Sequence, residues 1–264
     1  MSKVLLTAGY DRALHSVFVA ESLRQAGFAP SLIIIAYPTS IARIRTIIRS
    51  RGLRSIISYI TGKEIAIRDS PIRDALREIG VVKPSLNAWA RQNGVPLVMV
   101  SDLNSQRAIQ KVEALAPDVT AYTGGGILRA SFLKAVGSPV LNAHSGHMPD
   151  VRGMNALEWS LLFRLPTGVT MHLIDEGIDT GQIVEWIDVL PQVGDTLATL
   201  RNRLIYTGAK AMVRLVLQAL DGHLITESQK SIPQQRQCFV VAQGLLEVAT
   251  LRLSQREGDR LTSS

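Results

Sequence analysis

Cysteine is almost absent from this chain of 264 residues, because Cys238 is the only one. A single thiol excludes an intrachain disulfide framework, and without a Cys/His cluster around it a structural zinc site is not expected. Long apolar runs are absent too, since no stretch approaches the roughly 20 residues that span a bilayer. The first residues, MSKVLLTAGYDRAL, have neither the apolar length nor the cleavage site of a signal peptide. We therefore expect a cytoplasmic protein without a transmembrane segment.

Acidic residues are missing from one strongly basic segment. Five arginines lie between Arg43 and Arg54 with no Asp or Glu among them, and the whole chain has a net charge of +7. Ile41, Ile44 and Ile48 recur there at helical spacing, which predicts a basic amphipathic helix. Such a helix either presents a solvated face or binds an anionic ligand: a phosphorylated substrate or partner, an anionic membrane surface, or nucleic acid. The sequence leaves these alternatives open.

Short apolar runs alternate with helical patterns along most of the chain. The strand-like runs include residues 3–7, 32–37, 96–100 and 118–122. This alternation predicts an α/β fold, a Rossmann-like and mainly parallel sheet with helices on both faces. We expect a catalytic domain over residues 1–195, with a basic helical insertion at about 39–80. A C-terminal helix and a small C-terminal extension, residues 196–264, are expected to pack on it.

Two polar stretches follow strand-like runs in the second half of the chain. The apolar pair Val140-Leu141 leads into Asn142-Ala-His144, and the run 169–174 precedes Asp179-Thr-Gly181. Open α/β sheets bind their ligands at the carboxyl ends of the strands, where these side chains are expected. A folded chain tolerates titratable groups beside apolar strands chiefly where it binds or reacts. The two stretches therefore predict an active site.

The order of residues in these stretches resembles that of a known family. Asn142-x-His144, Pro149, Arg152-Gly153 and Asp179-Thr-Gly181 are similar to the motifs of the formyltransferases that use 10-formyltetrahydrofolate. That family includes glycinamide ribonucleotide, methionyl-tRNA and nucleotide-sugar formyltransferases and the related formyltetrahydrofolate hydrolases. The resemblance is clearest over residues 95–189. It implies a one-carbon group transferase with 10-formyltetrahydrofolate as donor, and Asn142, His144 and Asp179 as its catalytic set.

Formyl transfer needs residue types of this kind. An amine attacks the formyl carbon, a tetrahedral oxyanion forms, one proton leaves the amine and another reaches folate N10. The amide of Asn142 and a protonated His144 suit the oxyanion, and such preorganised donors are each worth roughly 3–4 kcal/mol in acyl-transfer sites. Asp179 is the candidate carboxylate beside His144, and it is also placed to hold a water that relays protons. Taken singly, each residue also has a structural interpretation, Asn142 as a turn residue after a strand and Asp179 as an ordinary loop or cap residue.

The resemblance also implies supporting and folate-binding positions. Thr170 and His172 alternate along a strand, so they share one face. They are expected either to support the site from behind or to pack in the core. For the glycines at 124–126, the alternative to a folate-binding role is a flexible turn. By resemblance, the pterin ring is expected among backbone groups and apolar walls of Gly126, Ile127, Leu128, Val140, Ile174, Asp175, Glu176, Gly177 and Ile178.

His147 departs from the family pattern. The family commonly has an apolar residue there, within His-Pro-Ser-Leu-Leu-Pro, where this chain has His144-Ser-Gly-His-Met-Pro149. The departure also places Gly146 where the family has serine, which puts in doubt an acceptor assignment taken from that serine. His147 is expected either to touch the acceptor or to be an exposed loop histidine.

The ends of the sequence bear on the acceptor. The first turn, Thr7-Ala-Gly9-Tyr-Asp11, has one glycine and a carboxylate rather than a Gly-rich phosphate loop, which argues against glycinamide ribonucleotide. Too few residues follow Val189 for the C-terminal barrel usual in methionyl-tRNA enzymes. The leading hypothesis is therefore transfer to an amine of a small molecule, such as an amino sugar or a natural-product intermediate. A formyltetrahydrofolate hydrolase and a non-catalytic folate-binding or scaffold protein are the alternatives, and a homodimer stays open.

Overall fold

The structure is a computed structural model that describes residues 2–37, 70–230 and 236–261, with side chains described to residue 255. The predicted basic helix from Arg43 to Arg54 lies outside the described residues, as does most of the predicted insertion at 39–80. An anionic ligand for that helix therefore stays a prediction.

The described residues form nine strands and eight helices. The strands are β1 Val4–Ala8, β2 Leu32–Ala36, β3 Leu97–Val100, β4 Val119–Thr123, β5 Val140–His144, β6 Val151–Gly153, β7 Gly168–Leu173, β8 Ile183–Asp188 and β9 Arg236–Cys238. The helices are α1 Leu14–Gln25, α2 Pro71–Glu78, α3 Leu86–Gln92, α4 Gln106–Leu115, α5 Ala130–Val136, α6 Ala156–Leu162, α7 Leu197–Leu220 and α8 Gln243–Leu261.

Seven of the strands form one sheet, in the order β3-β2-β1-β4-β5-β7-β8. The first five of these strands are parallel, whereas β7 runs antiparallel to β5 and β8 antiparallel to β7. The prediction of a mainly parallel, Rossmann-like sheet is therefore confirmed. β6 and β9 form a separate two-stranded parallel sheet.

Helices cover both faces of the large sheet because the strand side chains alternate between two apolar clusters. In β1, Val4 and Leu6 join the cluster that contains α1, α2, α3 and α7, whereas Leu5 joins the cluster that contains α4 and α5. In β2, Ile33 and Ile34 divide in the same way. Continuous apolar runs are typical of strands that are buried on both faces.

The long helix α7 packs across β4, β5 and β7 and against α1, and α8 packs on α6. The chain between α7 and α8 runs beside the β7–β8 loop before it pairs, as β9, with β6. No helix in the described ranges is both long and apolar enough to cross a bilayer. The fold thus places α7 and the chain after it next to the polar end of β5.

Candidate active site

Asn142 and His144 lie two residues apart at the carboxyl end of β5. Alternation along a strand therefore directs both side chains to one face of the sheet. The antiparallel register pairs Asn142 with His172 and His144 with Thr170. The four polar residues predicted from two separate stretches thus lie on adjacent strands.

Asp179 reaches this face from the loop between β7 and β8. Its Oδ2 atom lies 3.3 Å from Nδ1 of His144, and its Oδ1 atom lies 3.6 Å from Nε2 of His172. The backbone N–H of Gly153 donates to Oδ2 at 2.7 Å. Asp179 itself has φ of 52°, a left-handed conformation uncommon for a residue other than glycine. The turn thus brings the carboxylate back over the sheet.

His172 orients Asn142. Nδ1 of His172 lies 2.8 Å from the Leu173 carbonyl oxygen, so this nitrogen bears the proton that donates to it. Nε2 then accepts from Nδ2 of Asn142, 2.9 Å away. Burial lowers the pKa of His172 because it disfavours the charged ring, although Asp179 acts in the opposite direction. The neutral ring therefore fixes which way the Asn142 amide faces.

His144 is engaged through both ring nitrogens. Nε2 donates to the Val151 carbonyl oxygen at 3.0 Å, which leaves Nδ1 to face Asp179. A proton on Nδ1 makes that contact attractive, whereas a lone pair there would face a carboxylate oxygen. The joint donation of Asn142 and His144 to one oxyanion stays a prediction. The described contacts direct His144 to Asp179 and Val151, and Asn142 to His172.

Thr170 and His147 act on the loop after β5. The Thr170 hydroxyl donates to the Gly146 carbonyl oxygen at 2.6 Å and accepts from the Met148 N–H at 3.2 Å. His147 lies 2.6 Å from Oδ2 of Asp150, and its ring meets the Trp186 ring edge-on with centroids 4.7 Å apart. About a third of the His147 side chain is exposed, at 35%. Thr170 therefore shapes the loop, and His147 lies at its rim.

The predicted folate-binding segments come together beside β5. The Ile174 N–H donates to the Val140 carbonyl oxygen at 2.8 Å, and Leu128 belongs to the same apolar cluster as both residues. Leu128 and Val140 are buried, whereas Ile127 is 70% exposed and Ile178 is 40% exposed. The remaining predicted positions lie in the same two loops, at Gly126, Asp175, Glu176 and Gly177. The two loops thus offer exposed apolar side chains and backbone groups beside β5.

The Asp175–Ile178 turn is held by its own contacts. Oδ1 of Asp175 accepts from the Gly177 N–H at 3.1 Å and from the Thr180 hydroxyl at 2.6 Å. The Gly126 carbonyl oxygen in the opposite loop accepts from the Tyr122 hydroxyl at 2.6 Å. Both loops are thereby shaped by hydrogen bonds within the chain.

A hollow of about 210 Å³ opens next to Asn142, between β5, α1 and α7. Sequence reasoning did not identify most of its lining. One signal is present in α1, where His15 follows the apolar residues Ala13 and Leu14 and its Nε2 lies 2.8 Å from the Thr123 carbonyl oxygen. Another is a glycine within the helical pattern of α7, Gly208. A Cβ atom at this position would lie 2.8 Å from Cβ of Ala143, which is too close for two carbon atoms. Other lining residues are Val19, Tyr122, Gly124, Ser145, Val169, Leu204, Ile205, Ala209 and Met212.

The chain after α7 also reaches the site. Nε2 of Gln229 donates to the Asp179 carbonyl oxygen at 3.0 Å and to the Gly181 carbonyl oxygen at 2.7 Å. No periodicity or motif in the sequence points to this residue, because its contacts depend on how α7 returns the chain to the sheet.

A family model described as formyl transferase matches residues 80–216, more than half of the chain. The chain belongs to the formyl transferase family. The matched region contains β5, β7 and the β7–β8 loop, and so includes Asn142, His144 and Asp179. It ends within α7, before Gln229 and β9.

Among sequence relatives, the methionyl-tRNA formyltransferase of Anaeromyxobacter dehalogenans (strain 2CP-1 / ATCC BAA-258) is 30% identical over 203 residues. The alignment covers 75% of this formyl transferase family member and 64% of the relative. The chain thus matches a little less than two thirds of the relative's length.

Two solved structures share the fold. A sugar N-formyltransferase from Shewanella sp. FDAARGOS_354 matches with a TM-score of 0.58 at 14% identity, over 96% of this chain and 88% of that one. The N-formyltransferase of Helicobacter canadensis, in complex with folinic acid and dTDP-3-aminofucose, matches with a TM-score of 0.56 at 16% identity. That alignment covers 90% of this chain and 71% of the other. At these identities the likeness shows the formyl transferase fold alone.

Proposed function

We propose that this protein transfers a formyl group from 10-formyltetrahydrofolate to an amine of a small molecule. The observation that supports this most is the meeting of two polar pairs at one end of β5. Asn142 is held by His172, and His144 faces Asp179, beside a hollow that Asn142 lines. Family membership supports the same reaction class.

Asn142 is the donor to the oxyanion. One hydrogen of its Nδ2 is taken by His172, so the second is the one that donates to the formyl oxygen as the carbonyl becomes tetrahedral. Because the neutral His172 fixes the amide before substrate binds, little reorganisation is needed in the transition state. A donor of this kind is worth about 3–4 kcal/mol of transition-state stabilisation.

The His144–Asp179 pair handles charge and protons. The new C–N bond forms as the amine nitrogen attacks, and that nitrogen becomes cationic until one proton leaves it. Asp179, through a bound water or directly, accepts this proton, and its Oδ2 atom lies 3.3 Å from Nδ1 of His144. The C–N10 bond then breaks, and a proton is delivered to N10. The proton lost by the amine thus balances the proton gained by N10.

The donor site lies between the two loops that flank β5. Exposed Ile127 and Ile178 supply apolar surface for a ring, and the loop backbones supply hydrogen-bonding groups for a pterin edge. The Helicobacter canadensis N-formyltransferase was crystallised with folinic acid, a formylated folate, which supports a folate in this family member too.

The acceptor site is the hollow beside Asn142. Of the described residues that line it, none is Lys, Arg, Asp or Glu, and many are apolar. Such a lining suits an uncharged group with an apolar face, for example the ring of a deoxy amino sugar. The Helicobacter canadensis enzyme was crystallised with dTDP-3-aminofucose, which supports an amino sugar as the acceptor. The name of the sequence relative, by contrast, specifies methionyl-tRNA as its acceptor substrate.

Incubation with 10-formyltetrahydrofolate and single amines tests the proposal. The panel includes aminated nucleotide sugars, simple amino sugars and methionyl-tRNA. We expect tetrahydrofolate release that depends on one class of amine, with an equal amount of N-formyl product by mass spectrometry. Release of formate at the same rate without any amine would instead identify a hydrolase. Absence of both products with every amine, despite folate binding, would favour the non-catalytic alternative.

A further inference from the structure

The backbone of β6 touches both members of the His144–Asp179 pair. Its Val151 carbonyl oxygen accepts from Nε2 of His144 at 3.0 Å, and its Gly153 N–H donates to Oδ2 of Asp179 at 2.7 Å. A shift of β6 would therefore change the positions of both side chains. Because β6 has only three residues, its own position depends on what it pairs with.

β9 is the strand that pairs with β6. The register joins Val151 to Arg236 and Gly153 to Cys238, and the Met154 N–H donates to the Cys238 carbonyl oxygen at 3.0 Å. Gly153 has φ of 96°, and a Cβ there would lie 2.3 Å from that same carbonyl oxygen. The close approach of β9 thus requires glycine at 153.

Side chains around this strand pair strengthen the contact. The Arg236 guanidinium lies over the Phe163 ring, 4.3 Å from its centroid. Nε1 of Trp159 donates to the Phe239 carbonyl oxygen at 2.8 Å. The C-terminal chain is therefore fixed to α6 and the turn after it as well as to β6.

Gln229 holds Asp179 from the opposite side. Its side-chain amide donates to the carbonyl oxygens of Asp179 and Gly181, one on each side of Thr180. The backbone nearby is anchored, since Glu227 and Ile183 exchange two hydrogen bonds of 2.8 Å. A left-handed residue other than glycine costs about 1–2 kcal/mol, so Asp179 needs contacts of this kind to stay in that conformation.

We infer that the chain after α7 positions the catalytic pair. We call residues 225–230 and 236–239 the C-terminal strap, in which Gln229 is a positioning residue for Asp179 and β9 supports β6. This inference rests on the proposed function for its catalytic meaning. The strap lies wholly outside the region that matches the family model.

A matched pair of variants tests Gln229. Gln229→Met keeps the length of the side chain and removes both donors. Thr226→Val is the control, because it removes a strap hydrogen bond to the Gln182 side chain that does not involve Asp179. We expect Gln229→Met to lower kcat about tenfold to a hundredfold, as for an ångström-scale misplacement. The KM values of folate and amine should stay within about twofold, since substrate contacts are retained.

A double-mutant cycle separates positioning from general destabilisation. If Gln229 acts through Asp179, Gln229→Met has no further effect on kcat in an Asp179→Ala background. Independent, additive losses would overturn the inference, as would wild-type kcat in Gln229→Met. A loss of kcat in Thr226→Val equal to that in Gln229→Met would also overturn it, because the effect would then be general to the strap.

A crystal structure of Gln229→Met tests the inference even if formyl transfer itself is not found. We expect Oδ2 of Asp179 to move away from His144 Nδ1 and from the Gly153 N–H, while β6 and β9 stay paired. Retention of the Asp179 turn and of its contact with His144 would overturn the inference whatever the enzyme's activity. Failure of the amine panel with a displaced Asp179 would instead contradict only the proposed function.

Discussion

At the residue scale, the site depends on which atoms of Asn142 face the substrate. His172 accepts one amide hydrogen and thereby directs the other. We predict that Asn142→Ala lowers kcat by about 10²–10³ because it removes the oxyanion donor. Steady-state kinetics and a thermal melt check this together, since the melting temperature should change little. An unchanged kcat would remove Asn142 from the reaction.

The buried His172 predicts a specific dependence of stability on pH. Burial lowers its pKa below the ordinary 6.5. The unfolded state therefore binds more protons below that pH, and stability falls as pH drops through about 6.5. One such group contributes at most about 1.4 kcal/mol per pH unit.

Denaturant unfolding of His172→Gln between neutral and mildly acid pH tests this prediction. The variant is expected to lose stability less steeply than the wild type as the pH falls. His223→Gln is the control, because that residue is exposed. If the free energy of unfolding depended on pH in the same way in His172→Gln and in the wild type, His172 would not contribute to that dependence.

At the element scale, regular strands were predictable and short ones were not. The apolar runs of β1 and β2 are read directly from the sequence, because each strand is buried on both faces. β6 and β9 have three residues each, and their pairing depends on Gly153 and on a segment far along the chain. No local pattern of residues encodes such a contact.

The same limit applies to the site. The placement of Asn142 and His144 at the carboxyl end of a strand was predictable because a strand pattern leads into them. Asp179 was identified by its motif, but its approach to His144 depends on a left-handed turn and on Gln229. These contacts join elements distant in sequence, and only the folded chain shows them.

An ion pair between α6 and α7 leads to a prediction about stability. Glu158 of α6 is only 2% exposed and pairs with Arg201 of α7. We predict that Arg201→Met lowers the free energy of unfolding by about 3 kcal/mol, because it leaves a buried carboxylate unpaired. Arg214→Met, which breaks an exposed pair with Glu185, should cost no more than about 1 kcal/mol. Equal losses in urea unfolding would contradict the prediction.

At the scale of the whole molecule, family, fold and site bear on different questions. The match over residues 80–216 shows the family, and the solved structures show the fold. The proposed acceptor site is the hollow between β5, α1 and α7, of which α1 lies outside that match. The lining of this proposed site therefore comes from the assembled fold and not from the motifs alone.

The most direct test is a crystal structure with a hydrolysis-stable 10-formyl analogue of tetrahydrofolate. The account predicts a pterin between the loops of Ile127 and Ile178, with the formyl oxygen about 3 Å from Nδ2 of Asn142. The formyl carbon should face the hollow beside α7. A folate bound elsewhere, or a formyl oxygen that points away from Asn142, would contradict the account.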